Sequence, residues 1–301
     1  MNRPAARRRR VAAAVVLAVA AATTAACGTE TPSVPTPAHT ARFSRSLHDL
    51  LPQSVRSRGV LRVGTDASYA PMSAFGPDGL TIIGMEPDLG AQLGRVLGVR
   101  LQFAQNDFSK LLGRVADGQL DLAISAVTDT PQRAVNVDFV NYFSTGTSIV
   151  VQRGNPAAVT ELKDLCGKVV AVENGTTQVD LLRRTQKNCG SKPIRMRTYP
   201  TNSDALVQLR TGRAVAVLND YPPAAFLVSD VRTRSQYQLA SNEQFEPGLY
   251  GIVVAKDQPQ LRDAVRGALQ QLLRSGVYAD VLAGWHVQEG AVRQITVNSG
   301  R

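Results

Sequence analysis

Apolar residues in this chain recur with two different periods, and the two alternate along most of its length. VLRVGT (residues 60–65) has the β-branched, apolar-rich character of a strand. In the following EPDLGAQLGRVLG, Leu89, Leu93, Val96 and Leu97 recur at helical spacing. Leu101–Phe103 opens another strand, and Phe108–Ala116 reads as a short helix with Leu111, Leu112 and Val115 on one face. LDLAISAV (120–127) reads as a buried strand. The rhythm then repeats. KVVAVEN (168–174), AVAVLND (214–220) and LYGIVVA (249–255) are predicted strands. TTQVDLLRRTQK, SDALVQLRTG, QLRDAVRGALQQLLRSG and VYADVLAGWHV are predicted helices. Strands alternating with helices predict an α/β protein with mostly parallel sheets. The two halves share the rhythm without sharing a sequence repeat.

The start of the chain follows neither period. Arg3 and Arg7–Arg10 precede an apolar run from Val11 to Ala26, which is shorter than the ~20 residues a spanning helix needs. With Thr24-Ala25-Ala26-Cys27 behind it, the segment resembles the signal peptide and lipobox of bacterial lipoproteins. That resemblance implies cleavage after residue 26 and a lipid on Cys27. Thr24 stands where such boxes usually carry leucine, and the alternative is an ordinary cleaved signal with an incidental cysteine. Residues 28–42, GTETPSVPTPAHTAR, are rich in proline and threonine, so residues 27–54 are expected to form a lipidated, flexible tether. The body, from residue 55 onward, is long enough for two lobes.

Removing the leader changes the charge. The formal charge of the whole chain is +10, and the leader's five arginines without any acid leave +5 on residues 27–301. The remaining basic residues are scattered and match no nucleic-acid motif, so no nucleic-acid partner is expected. A basic body beside an anionic membrane is the milder implication. Cys166 and Cys189 remain after Cys27, and in an exported protein such a pair predicts a disulfide, the alternative being two buried thiols. His39, His48 and His286 lie far from either cysteine in sequence, and no metal-ligand spacing or nucleophile motif is present, so neither a metal nor a cofactor is expected.

Ligands of open α/β sheets collect beyond the carboxyl ends of strands. Polar residues stand at several such places: Asp66 and Tyr69, then Thr128, Thr130 and Arg133, then Gly175, Thr176 and Thr177, then Asp220. Each has a bland reading. Thr130 before Pro131, Asp220 before Tyr221-Pro222, and the Gly175–Thr177 turn could all cap helices, and Asp66 could close a turn. Arg133 is the odd member, a cation where a buried strand gives way to a helix. Either it pairs permanently with Asp129 or Asp138, or a ligand supplies its counter-charge. Taken together, an arginine for a carboxylate and an aspartate for an ammonium suit a zwitterion.

Six blocks, in order and spacing, carry a family resemblance: LRVGTDASYAPM, GMEPDLGAQLGRVLG, FSKLLGRVADGQLDLAISAVTDTPQRAVNVDF, LCGKVVAVENGTTQ, ALVQLRTGRAVAVLNDYPPAAF and LYGIVVAKD. Over about residues 58–290 the chain resembles the family 3 extracellular solute-binding proteins, the polar amino-acid receptors of ABC importers. The resemblance implies a two-lobed periplasmic-binding-protein fold of type II. Each lobe would be a mostly parallel sheet flanked by helices, and two crossover strands, SIVVQRG and LYGIVVA, would join them. Residues 55–149 and 250–301 would form lobe 1, and 150–249 lobe 2. It also implies site roles. Arg133 would hold the α-carboxylate with the Thr128 hydroxyl and the amides around Thr176 and Thr177. Asp220 and the Ala126 carbonyl would take the α-ammonium. Tyr69 and Phe108 would sandwich the side chain, with Asp66 near its distal end. Ala126 departs from the family's usual glycine, and GMEPDL from its usual glycine–phenylalanine–aspartate run. Asn219, beside Asp220, could join in side-chain selection or simply belong to a strand-end turn.

The expected function is therefore that of a monomeric, lipid-anchored, extracytoplasmic receptor. It would capture a glutamine- or glutamate-like amino acid and deliver it to an ABC permease and its ATPase. A sensory receptor would use the same binding chemistry. The same fold has also been recruited to dehydrate prephenate-like acids, but the clear acids, Asp66 and Asp220, already have binding assignments, so no enzyme activity is expected.

Overall fold

The computed structural model describes residues 39–300. The leader, Cys27 and the first part of the tether lie outside the described residues. Where the description begins, the chain is already packed. His39 donates its backbone N–H to Asp280 Oδ2 at 2.9 Å, and Ser44 N–H reaches Val96 O at 2.9 Å. Helices Arg45–Asp49 and Gln53–Arg58 follow, inside and just beyond the stretch expected to be tether. The reason is a short apolar stripe, Leu47, Leu50, Leu51 and Val55, whose helical spacing lets it join the main core.

A ten-stranded sheet organises the described chain. On one side, strands Arg100–Gln105, Val60–Thr65 and Leu122–Ala123 run parallel. On the other, Ala216–Asp220, Val169–Glu173 and Arg195–Tyr199 do the same. Between these groups lie two long antiparallel strands, Val137–Gln152 and Phe245–Ala255. The first pairs with Phe245–Ala255 along most of its length and with Ala216–Asp220 along its last residues, so it belongs to both groups. It starts eleven residues before the SIVVQRG segment. Strand Ala291–Val297 adds to the same long strand.

The apolar core is divided in the same way. One pair of clusters draws on residues 41–143 and 250–295. The other draws on residues 149–245. This is the α/β type II arrangement expected, with parallel sheets in each half. In the first half the helices Met85–Leu97 and Pro259–Arg274 bury Leu89, Leu93, Val96, Leu261, Val265 and Leu269.

The predicted LDLAISAV strand is mostly not a strand: only Leu122 and Ala123 pair, with Val63 and Gly64. The backbone turns at Ala126, which takes a left-handed conformation (φ 49°). Its N–H goes to Glu86 Oε1 at 2.5 Å rather than to a neighbouring strand. Glu86 is itself fully buried and also accepts from Ser73 and Tyr142 hydroxyls, so a carboxyl at the start of a helix braces this loop. Opening the strand end early is what lets Ser125, Ala126, Thr128 and Arg133 face the cleft.

Cys166 and Cys189 form a disulfide in the second half. With a sequence separation of 23 it closes a loop whose chain entropy amounts to about 3 kcal/mol. Replacing both cysteines by serine is expected to lower unfolding stability by roughly that amount, read as a shift in the urea midpoint. Unchanged midpoints would refute the contribution.

Candidate functional site

Strand ends from both halves converge on one cleft, with an empty space of about 320 Å³. All nine residues expected to bind ligand line it: Asp66, Tyr69, Phe108, Ala126, Thr128, Arg133, Thr176, Thr177 and Asp220. Ser125, Glu173 and Gln178 complete the lining. Asn219 does not. It is buried opposite Ser148, and strand alternation turns it away from the face that carries Asp220.

Arg133 sits in the short helix Pro131–Ala134, where Thr130 caps the turn by accepting Arg133 N–H at 3.3 Å. The bland reading of Thr130 is thus correct, and it aims the arginine. Its guanidinium lies 5.8 Å from the Phe108 ring centre. Nη1 donates to Thr128 O at 2.8 Å, and Nη2 donates to Gly175 O, in the other half, at 2.8 Å. Among the described residues no carboxylate forms an ion pair with Arg133. Asp129 instead accepts from Asn141 and Gly300, and Asp138 pairs with Lys256 and Arg262. Permanent pairing with Asp129 or Asp138 is therefore excluded. Burial lowers its pKa from the ordinary value, opposed by the more distant charges of Asp180, Asp220 and Asp129.

Asp220 stands at the start of helix Tyr221–Ser229 but makes no side-chain capping bond. Its carboxyl faces the cleft. Oδ1 accepts from Gln178 Nε2 at 2.6 Å, and Oδ2 accepts from Tyr250 OH at 2.6 Å. Asp220 N–H donates to Tyr69 OH at 2.8 Å, a link between the halves. Burial pushes the carboxyl pKa up to about 6 against the hydrogen bonds from Tyr250 and Tyr69 and the charge of Arg133.

Thr176 precedes helix Thr177–Thr185, and its hydroxyl donates to Glu173 O at 2.8 Å. Gly175, with φ 80°, passes so close to Ser109 that a Cβ would lie 2.9 Å from it. The glycine is needed for both reasons, and its carbonyl is the one that accepts from Arg133. Asp66 is buried at the end of its strand. It accepts from Ser68 N–H at 3.1 Å, Ser68 OH at 2.9 Å and Gln105 Nε2 at 3.3 Å. Ser68 in turn accepts Asn202 N–H at 3.1 Å across the cleft.

Sequence reading missed Glu173, Gln178, Ser125 and Tyr250. Glu173 was legible in principle. A charged residue ending an otherwise apolar, doubly buried parallel strand has no packing reason to be there. Tyr250 lay hidden in the apolar run LYGIVVA, where its hydroxyl gives no periodic signal.

The cleft thus holds one cation and three carboxyl groups. Asp220 senses Arg133, while Glu173 senses Asp66 and Asp220. Such a series can fix a carboxylate at the arginine and an ammonium at Asp220, with acidic groups left over for more of the ligand.

The family model of bacterial extracellular solute-binding proteins, family 3, matches residues 61–288. The chain is 28% identical over 253 residues to the arginine-binding protein ArgT of Corynebacterium glutamicum, covering 83% of this chain and 81% of that one. It is 28% identical over 232 residues to the L-cystine-binding protein TcyJ of Escherichia coli, covering 77% and 84% respectively. A solved ancestral arginine-binding protein bound to arginine superposes with a TM-score of 0.70 at 30% identity, covering 76% of this chain and 98% of that one.

Proposed function

Because the chain belongs to the bacterial extracellular solute-binding proteins, family 3, we propose that it captures one polar amino acid between its halves and delivers it to an ABC permease and its ATPase. The observation that carries this reading is Arg133: a half-buried guanidinium aimed into a cleft, held by two carbonyls and by no carboxylate. A ligand α-carboxylate would complete it bidentately, helped by the Thr128 hydroxyl and the Thr176–Thr177 amides. Asp220 and the Ala126 carbonyl would receive the α-ammonium. Residues 55–149 with 250–301, and residues 150–249, would be the lobes that close on the ligand. Anchoring by a lipid on Cys27 after removal of residues 1–26 would hold the receptor on the outer side of the cell membrane. No helix among the described residues is long and apolar enough to cross a membrane.

The choice of side chain turns on Glu173. A glutamate ligand would bring another carboxylate beside Asp66 and Glu173, whereas glutamine, arginine or lysine would bring donors. The reading accordingly shifts from glutamine or glutamate towards a side chain that ends in donors, with the cationic ones favoured. The relatives named for arginine support the same direction. The dehydratase alternative gains one residue, because Glu173 is an acid in the cleft that binding of the α-amino acid groups does not use.

Calorimetric titration with arginine, lysine, glutamine and glutamate tests the reading. Arginine or lysine is expected to bind at least tenfold more tightly than glutamate. A receptor that binds none of the four would refute it.

A further inference from the structure

Glu173 ends the strand Val169–Glu173, in the half opposite Asp66. It is 5% exposed and lines the cleft, yet its Oε1 has no hydrogen-bond partner. Asp66, 2% exposed, lines the same cleft, and its own oxygens already accept three hydrogen bonds. Two carboxyl groups that share one cleft out of water resist ionising together unless something positive lies between them.

The other charged groups around the pair do not supply it. Asp220, on the neighbouring strand, adds a further acid. Arg133 points its guanidinium at Thr128 O and Gly175 O instead. Tyr69 and Tyr250 are kept neutral, their pKa values raised by burial first and then by the charge of Asp220. A proton is what remains. Burial, then Asp66, then Asp220 push the Glu173 carboxyl up to about 11, so across the neutral range it holds its proton.

Resting on the amino-acid reading above, we propose that Glu173 and Asp66 form a two-carboxyl clamp, closed by a proton until a ligand's cationic side chain replaces that proton. The exchange balances. The O–H bond of Glu173 breaks, the proton passes to solvent, and the guanidinium or ammonium of the ligand takes its place between two carboxylates. Because the clamp has one carboxyl on each half, either cation draws the halves together. The proton acts as a competitor of the ligand, so affinity for a cationic amino acid rises with pH.

The test is calorimetry of the wild-type protein with arginine at pH 7.5, where Asp220 is already ionised, in phosphate and in Tris. These buffers differ in ionisation enthalpy, and the difference in observed heat counts the protons released. Close to one proton per arginine is expected, with affinity rising nearly tenfold from pH 7 to pH 8. Glu173→Gln, checked for folding by its thermal melt, is expected to release none and to bind with an affinity independent of pH over that range. Arginine bound by wild type without proton release overturns the clamp while leaving the amino-acid reading standing. The same release from Glu173→Gln as from wild type also overturns it. Binding of no amino acid at all removes both.

Discussion

Arg133→Ala is expected to weaken amino-acid binding by a factor of about 30 or more, while leaving the ligand-free protein about as stable as wild type. The two halves of this expectation have one cause. The guanidinium is half-buried over the Phe108 ring, and among the described residues its hydrogen-bond partners are carbonyls only, Thr128 O and Gly175 O. Its burial is a cost to the fold that two neutral acceptors offset only in part, so removing it relieves about as much as it loses. In the complex the balance reverses. The ligand carboxylate would lose a bidentate partner and remain desolvated, a change of about 2–5 kcal/mol for a close charge pair. Arg133→Lys separates charge from shape. It keeps the cation but not the planar fork, and it is expected to fall between wild type and alanine. Titration calorimetry and urea unfolding of the same three proteins would check both halves. If the alanine variant binds within threefold of wild type, or loses several kcal/mol of stability without ligand, Arg133 is a structural residue and not the carboxylate anchor.

How much of this was legible in the sequence depends on where each signal resides. Helices Met85–Leu97 and Pro259–Arg274 were legible because each buries one apolar stripe at its own period. The strand Val137–Gln152 was only partly so. Its first half carries Asp138 and Asn141 at fully enclosed positions, and these polar residues interrupt the apolar run. They are tolerated because partners outside the strand satisfy them: Lys256, Arg262 and Asn298 for Asp138, and Thr296 and Asp129 for Asn141. No local pattern announces such pairing. The early end of the predicted LDLAISAV strand has the same character, since it depends on a buried carboxyl from Glu86 receiving the Ala126 N–H. In the site, residues at strand ends were legible through their chemistry and the family's order of blocks. Capping and ligand roles were separable only by geometry: Thr130 caps its helix, whereas Asp220 does not. Glu173 escaped because its meaning lies in Asp66, a partner on the opposite half.

That partnership carries the second large expectation: Glu173→Gln is expected to stabilise the ligand-free protein by about 3 kcal/mol at pH 7, and by more as pH rises. The carboxyl is pushed up to about 11 by burial and by Asp66 and Asp220, against an ordinary value of 4.5. Between those two values the folded state holds a proton that the unfolded state has released. The unfolded state therefore binds fewer protons, and stability falls with increasing pH, by about 1.4 kcal/mol per unit for one group. Below about pH 4.5 both states are protonated and the group contributes no slope. Glutamine keeps the size of the side chain and has no proton to lose. The gap between variant and wild type should thus be small at pH 4.5 and wide at pH 8. Asp220, whose folded value of about 6 gives a slope of the same sign, is present in both proteins and cancels to first order. Urea midpoints at pH 4.5, 6 and 8 decide the matter. A gap that stays constant with pH would mean that Glu173 is ionised in the folded protein, with some cation other than a proton compensating it. A glutamine variant less stable than wild type at pH 8 would mean that the carboxyl is a needed structural partner instead of a group held ready for a ligand.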